Sequence, residues 1–114
     1  MRILEITRIR QPGRNAQTVA DFYYRDAPPN GLRAMTAGMI RDGLILNRFV
    51  CLDDSGDTLT IFTMFSSEEA RQAWRNNPVM LEVQEQWADR SWEGETEVIP
   101  CREMIDVAAW GRNG

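Results

Sequence analysis

A chain of 114 residues that is 43% hydrophobic suits one globular domain, 1–114. Its net charge of −4, with acidic and basic residues interspersed, excludes a clustered phosphate-tracking surface, and no nucleic-acid partner is expected. No apolar run is long enough to span a bilayer and the start MRILEITRIR lacks the apolar stretch of a secretory signal, so the reading is no membrane and a cytoplasmic location.

Arg2 to Arg10 is a strand candidate rich in β-branched residues, with Ile3, Leu4, Ile6 and Ile9 carrying apolar area to both faces. Pro12-Gly13 stops it. Asn15 is an N-cap candidate for a short helix whose Val19, Phe22 and Tyr23 share one stripe, and Pro28-Pro29 ends that helix. Asn30 can cap a second segment in which Leu32, Met35, Met39 and Ile40 recur at helical spacing, with Gly43 as the C-terminal stop.

Leu44 to Leu52 and Thr58 to Phe65 form a hairpin across Asp53-Asp54-Ser55-Gly56, where the glycine can supply positive φ. Strict alternation puts Leu44, Leu46, Val50 and Leu52 on one face and Ile45, Phe49 and Cys51 on the other. In the partner strand Leu59, Ile61 and Phe65 oppose Phe62 and Met64. Both faces are apolar, so both must be covered, and helices can cover only one.

Ser66 and Glu69 stand at capping-box spacing for the next helix. Asn77-Pro78 is a fresh N-cap and N1 pair, so this helix should break near Asn76 and restart, with Val79, Val83 and Trp87 toward the sheet and Leu81 away from it. The charged residues Glu68, Glu69, Arg71 and Arg75 read as a solvated face with i,i+3 and i,i+4 pairs. Glu95 to Ile105 is the last strand, and Pro100 within it asks for a sheet edge.

Strand, broken helix, strand, strand, broken helix, strand is the βαββαβ ferredoxin-like order, an α+β fold with a four-stranded antiparallel sheet. The apolar face opposite the helices asks for a second copy, hence a homodimer through the sheet face. Cys51 and Cys101 then lie on opposite sheet edges, too far apart to bridge, and both are expected reduced.

The segment GLILNRFVCLDDSGDTLTIFTMFSSEEARQAWRNNPVM resembles the central hairpin and second helix of the dimeric α/β-barrel superfamily, the ferredoxin-like group that includes the antibiotic-biosynthesis-type monooxygenases. The resemblance implies two sheets packed face to face as a closed barrel. Where such monooxygenases act without metal or flavin, it also implies a pocket between sheet and helices in which aromatics and a few Asn, Tyr, Trp or Arg side chains orient the substrate.

The substrate-binding candidates are therefore Asn47 and Arg48 on the hairpin, Arg8 on the first strand, Tyr23 and Tyr24 on the first helix, and Trp74 on the second. Asn47 interrupts an apolar face, where a buried amide needs a partner or a ligand. Asn47 and Arg48 are adjacent in a strand, so at most one can line the pocket. The aromatics have an equally good account as core.

No catalytic residue is assigned. The chain has no histidine, which removes imidazole as a base or ligand, and its two cysteines have no CxxC partner, so no metal and no cofactor is expected. Many of the monooxygenase-like proteins carry Trp in a W-x-S sequence where this chain has Phe65 in MFSS. The haem-degrading branch uses a His where AWRNNPVM offers Trp74. The functional reading is an uncharacterised small-molecule-binding barrel dimer, with cofactor-independent monooxygenase-like chemistry as one outcome and a non-catalytic dimerisation or binding module as the alternative.

Overall fold

Alternating side chains and β-branched residues set up the sheet, and the computed structural model arranges its four strands as β2-β3-β1-β4, every pair antiparallel. Residues 1–11, 13, 15–21, 31–89 and 93–113 are described, without the side chains of 86–89, 93 and 113. The elements are β1 (Arg2–Arg10), α1 (Asn15–Ala20), α2 (Leu32–Arg41), β2 (Ile45–Leu52), β3 (Thr58–Phe65), α3 (Glu68–Arg75), α4 (Pro78–Asp89), β4 (Glu93–Cys101) and α5 (Ala109–Asn113). The order is the ferredoxin-like one, with β4 at an edge, where the ladder tolerates Pro100. Among the described residues, no helix is long and apolar enough to cross a membrane.

One sheet face is packed by the helices. Ile3, Ile9, Leu59, Ile61 and Phe65 from β1 and β3 meet Ala16 and Val19 of α1, Leu32 and Met39 of α2, Ala70 and Trp74 of α3, and Met80 and Val83 of α4. The opposite face carries Leu4, Ile6, Phe62, Met64 and Phe49. Phe49 is half exposed and stacks on Phe62 at 4.8 Å between ring centroids.

The face assignment of β2 departs from strict alternation. A bulge lies between Ile45, which pairs with Phe65, and Asn47, which pairs with Met64, so the extra residue Leu46 shifts the phase of everything after it. Ile45, Arg48, Val50 and Leu52 therefore face the helices through their partners Phe65, Thr63, Ile61 and Leu59, while Asn47, Phe49 and Cys51 face the open side.

Several ends also differ from the sequence expectation. Ser67, not Ser66, caps α3: its Oγ accepts from the Ala70 amide at 3.0 Å, so Glu69 has no capping-box position. Gly31 stands at the N-cap of α2. Ile40 is exposed instead of joining the stripe of Leu32 and Met39. The last strand begins earlier and stops at Cys101, leaving Ile105 exposed ahead of the short α5, which carries an exposed Trp110.

The break at Asn76 and the restart at Pro78 fall as expected, with Asn77 Oδ1 accepting from the Val79 amide at 2.9 Å. Gly43 (φ 74) closes α2, and Gly56 (φ 79) turns the hairpin. Both thiols are free, on opposite edge strands. The expected stripe residues Phe22 and Tyr23, the Pro28-Pro29 stop and the Asn30 cap lie outside the described residues, as does the side chain of Trp87.

Candidate functional site

A cavity of about 300 Å³ opens between the helix-side face of the sheet and the α3–α4 pair. Its floor comes from positions of one register: Glu5, Thr7 and Ile9 of β1, Arg48 of β2, Ile61 of β3, and Gly94 and Thr96 of β4. Its other walls are Trp74 and Arg75 from α3 and Met80 and Gln84 from α4. Alternation explains the β1 contribution, since residues 5, 7 and 9 share a face. Arg48 is present only because the bulge turns it inward.

Trp74 is buried and packs against Phe65 with centroids 6.3 Å apart and planes tilted by 57°. The Arg48 guanidinium lies 4.5 Å from the Trp74 ring centroid, a cation–π contact, and its Nη1 donates to the hydroxyl of the buried Thr63. Arg48 and Trp74 are thus brought together on one wall.

Glu5 is the buried charge of the site. Its Oε2 accepts from Arg71 Nε at 2.7 Å and lies 3.5 Å from Arg75 Nε. That second contact is within ion-pair range without the alignment of a hydrogen bond, and Arg75 Nε is buried with no hydrogen-bond partner among the described residues. Arg71 also donates through Nη1 to Glu68 at 2.9 Å. The Gln72 amide, followed by the Arg71 and Arg75 guanidiniums, holds the Glu68 carboxyl below its ordinary range. On the floor, Thr7 and its cross-strand partner Thr96 have their hydroxyls 3.3 Å apart.

The other sequence candidates lie elsewhere. Asn47 is exposed on the open face, so its amide is not a buried group in need of a partner. Arg8 is also on the open face, 3.9 Å from Glu95, and borders a separate hollow of about 330 Å³ with Arg10, Thr58, Gly94 and Glu95, none of them buried. Tyr23 and Tyr24 lie outside the described residues.

Sequence reasoning missed Glu5, Thr7, Arg75, Met80, Gln84 and Thr96. It also assigned Arg71 and Arg75 to a solvated helix face, whereas both turn to Glu5 on the sheet. A signal was present: Glu5 shares a strand face with Ile3 and Ile9, and a carboxylate there requires cationic partners, which an i,i+4 arginine pair supplies. Among the described residues no group of three or more His, Cys, Asp or Glu side chains could hold a metal ion.

No protein-family model matches the chain, and no curated protein matches it in sequence. Solved structures do match its fold. A candidate antibiotic biosynthesis monooxygenase from Deinococcus radiodurans superposes with a TM-score of 0.67 at 10% identity, over 92% of this chain and 97% of that one. A monooxygenase from the gene ActVA-Orf6 of Streptomyces coelicolor, in complex with nanaomycin D, gives 0.65 at 13% identity over 90% and 89%. SnoaB, a cofactor-independent oxygenase from Streptomyces nogalater, gives 0.57 at 12% identity over 91% and 96%. The chain therefore has the fold of the antibiotic-biosynthesis-monooxygenase-like proteins.

Proposed function

We propose that this chain binds a small organic molecule in the cavity between its sheet and α3–α4, as one half of a dimeric α/β barrel, and that the bound molecule undergoes cofactor-independent monooxygenase-like chemistry. The observation that carries the reading is the cavity itself. It combines a Trp74, Ile61 and Met80 wall with the polar side chains of Arg48, Arg75, Thr7 and Thr96, the mixture of apolar surface and few oriented polar groups that small-molecule sites use. A binding-free dimerisation module would fill that space with side chains. The oxygenase structures that share the fold support the chemical part.

In this reading the protein's contribution is positioning and electrostatics. Arg48, held by Trp74 and Thr63, and Arg75, held near Glu5, are fixed donors for negative charge that develops on a substrate oxygen. Glu5 keeps the arginines of α3 in place.

The open face supports the dimer. Phe49, Phe62, Met64, Leu4 and Ile6 form a contiguous apolar surface by register, and a second copy presenting the same residues would cover it. A cytoplasmic setting is part of the proposal, since the opposite-edge cysteines gain no bridge from an oxidising one.

The test is oxygen uptake by purified protein with a dihydroxynaphthalene in chelator-treated buffer. Uptake above the protein-free rate, lost in Arg48→Met, is the expected result. Saturable binding without uptake would favour the non-catalytic binding module, and absence of binding would remove the cavity as a site.

A further inference from the structure

The cavity is not electrically balanced. Two carboxylates, Glu5 and Glu68, are shared between two guanidiniums, with Arg71 taking the short contacts to both and Arg75 standing 3.5 Å from Glu5, and a third guanidinium, Arg48, has neither. The partners of Arg48 are the Trp74 ring and the Thr63 hydroxyl, both neutral. Among the described residues lining the cavity the only carboxylate is Glu5, and it is already committed to α3. The remaining polar walls, Thr7, Thr96 and Gln84, carry no charge.

A guanidinium held against an aromatic wall is partly stripped of water, and its free N–H groups present a planar fork suited to a planar oxyanion. Arg75 adds a second cation to the lining, its Nε turned to Glu5 at 3.5 Å. The apolar part of the cavity, Ile9, Ile61, Trp74 and Met80, offers hydrocarbon surface beside these cations.

We infer that the ligand is an organic anion: a small apolar body against Trp74 and Met80, with a planar carboxylate-like oxyanion held between Arg48 and Arg75. The inference rests on the proposed cavity and specifies what occupies it. Glu5 and Arg71 act as positioning residues that fix Arg75, and the specificity is for charge.

The experiment compares two probes of nearly equal shape, naphthalene-2-carboxylate and its neutral amide, titrated calorimetrically into the protein at pH 7 and low salt. The carboxylate is expected to bind at least about tenfold more tightly, a difference that is electrostatic and so shrinks with added salt. Arg48→Met and Arg75→Met should each erase most of that preference, read as the ratio of the carboxylate's affinity to the amide's in the same variant. Arg48→Lys, which keeps the charge and the fold but not the planar fork, should retain part of it. Equal affinities for both probes would overturn the anion assignment and leave the cavity reading standing, whereas failure of both probes to bind would overturn the two together. A carboxylate preference that survives in both methionine variants would also overturn it.

Discussion

The Arg48 guanidinium lies 4.5 Å over the ring of Trp74, joining the edge strand β2 to α3 on one wall of the cavity. The two residues are separated by the whole of β3, and what lets them meet is the single extra residue at Leu46. Without that bulge Arg48 would face the opposite side of the sheet and Asn47 would point at the tryptophan.

The adjacent pair Asn47 and Arg48 should therefore behave very differently. Asn47→Ala alters an exposed side chain and is expected to change stability by less than about 0.5 kcal/mol. Arg48→Met removes a cation–π contact and the partner of the buried Thr63 hydroxyl, and should cost about 1–2 kcal/mol. Chemical denaturation of the two variants gives both numbers. Equal costs would mean that the β2 register is not the bulged one.

Arg71 is the second structural cation. Arg71→Met takes the 2.7 Å partner from Glu5 and leaves that buried carboxylate with Arg75 alone at 3.5 Å. A loss of about 2–4 kcal/mol is expected, reflecting the uncompensated charge more than the pair's own worth. Adding Glu5→Gln should recover part of that loss, so a double-mutant cycle in urea checks the coupling directly.

The hairpin turn provides a pH signature. Thr58's amide, then the Ser55 hydroxyl and the Asp57 and Gly56 amides, hold the Asp53 carboxyl below its usual 3.8. Asp53 Oδ1 accepts from the Asp57 and Thr58 amides at 3.0 and 3.1 Å, and Oδ2 from Ser55 at 2.8 Å. A carboxyl whose pKa is lower folded than unfolded contributes stability above its unfolded value, and that contribution disappears as pH falls through the folded one. Asp53→Ala should thus melt earlier than wild type at pH 7, with the gap narrowing below about pH 4. A gap constant down to about pH 2 would contradict this, and thermal melts across that range decide it.

What the sequence disclosed is what local chemistry controls. The bounds of β1 and β3, the Gly43 and Gly56 turns and the Asn77-Pro78 restart depend on residues within a turn of one another. The choice of Ser67 over the neighbouring Ser66 turned on one residue of strand length, which pattern does not resolve. The β2 bulge is a matter of tertiary register, since alternation continued through Leu46 reads equally well on paper. Of the site, Arg48 and Trp74 were visible as polar and aromatic interruptions. Glu5, Arg71 and Arg75 were not, because an i,i+3 and i,i+4 charge pattern looks the same whether its arginines reach water or a buried carboxylate 66 residues away.

Phe62 tests the assembly. It sits in the middle of the open face, opposite Ile6 on one side and Phe49 on the other, and stacks on Phe49. Covering such a face in a stable dimer would bury on the order of 800 Å² per subunit. The wild-type chain is accordingly expected to sediment at twice its 13.1 kDa at micromolar concentration. Phe62→Asp places an unpaired charge in that surface, at a desolvation cost of several kcal/mol, and should yield monomer or unfolded chain. Since Phe62 points away from the helix-side core, circular dichroism of the variant should retain its helical signal if the monomer folds. A wild-type protein at 13.1 kDa, or a Phe62→Asp variant still at the dimer mass, would rule out the open sheet face as the interface.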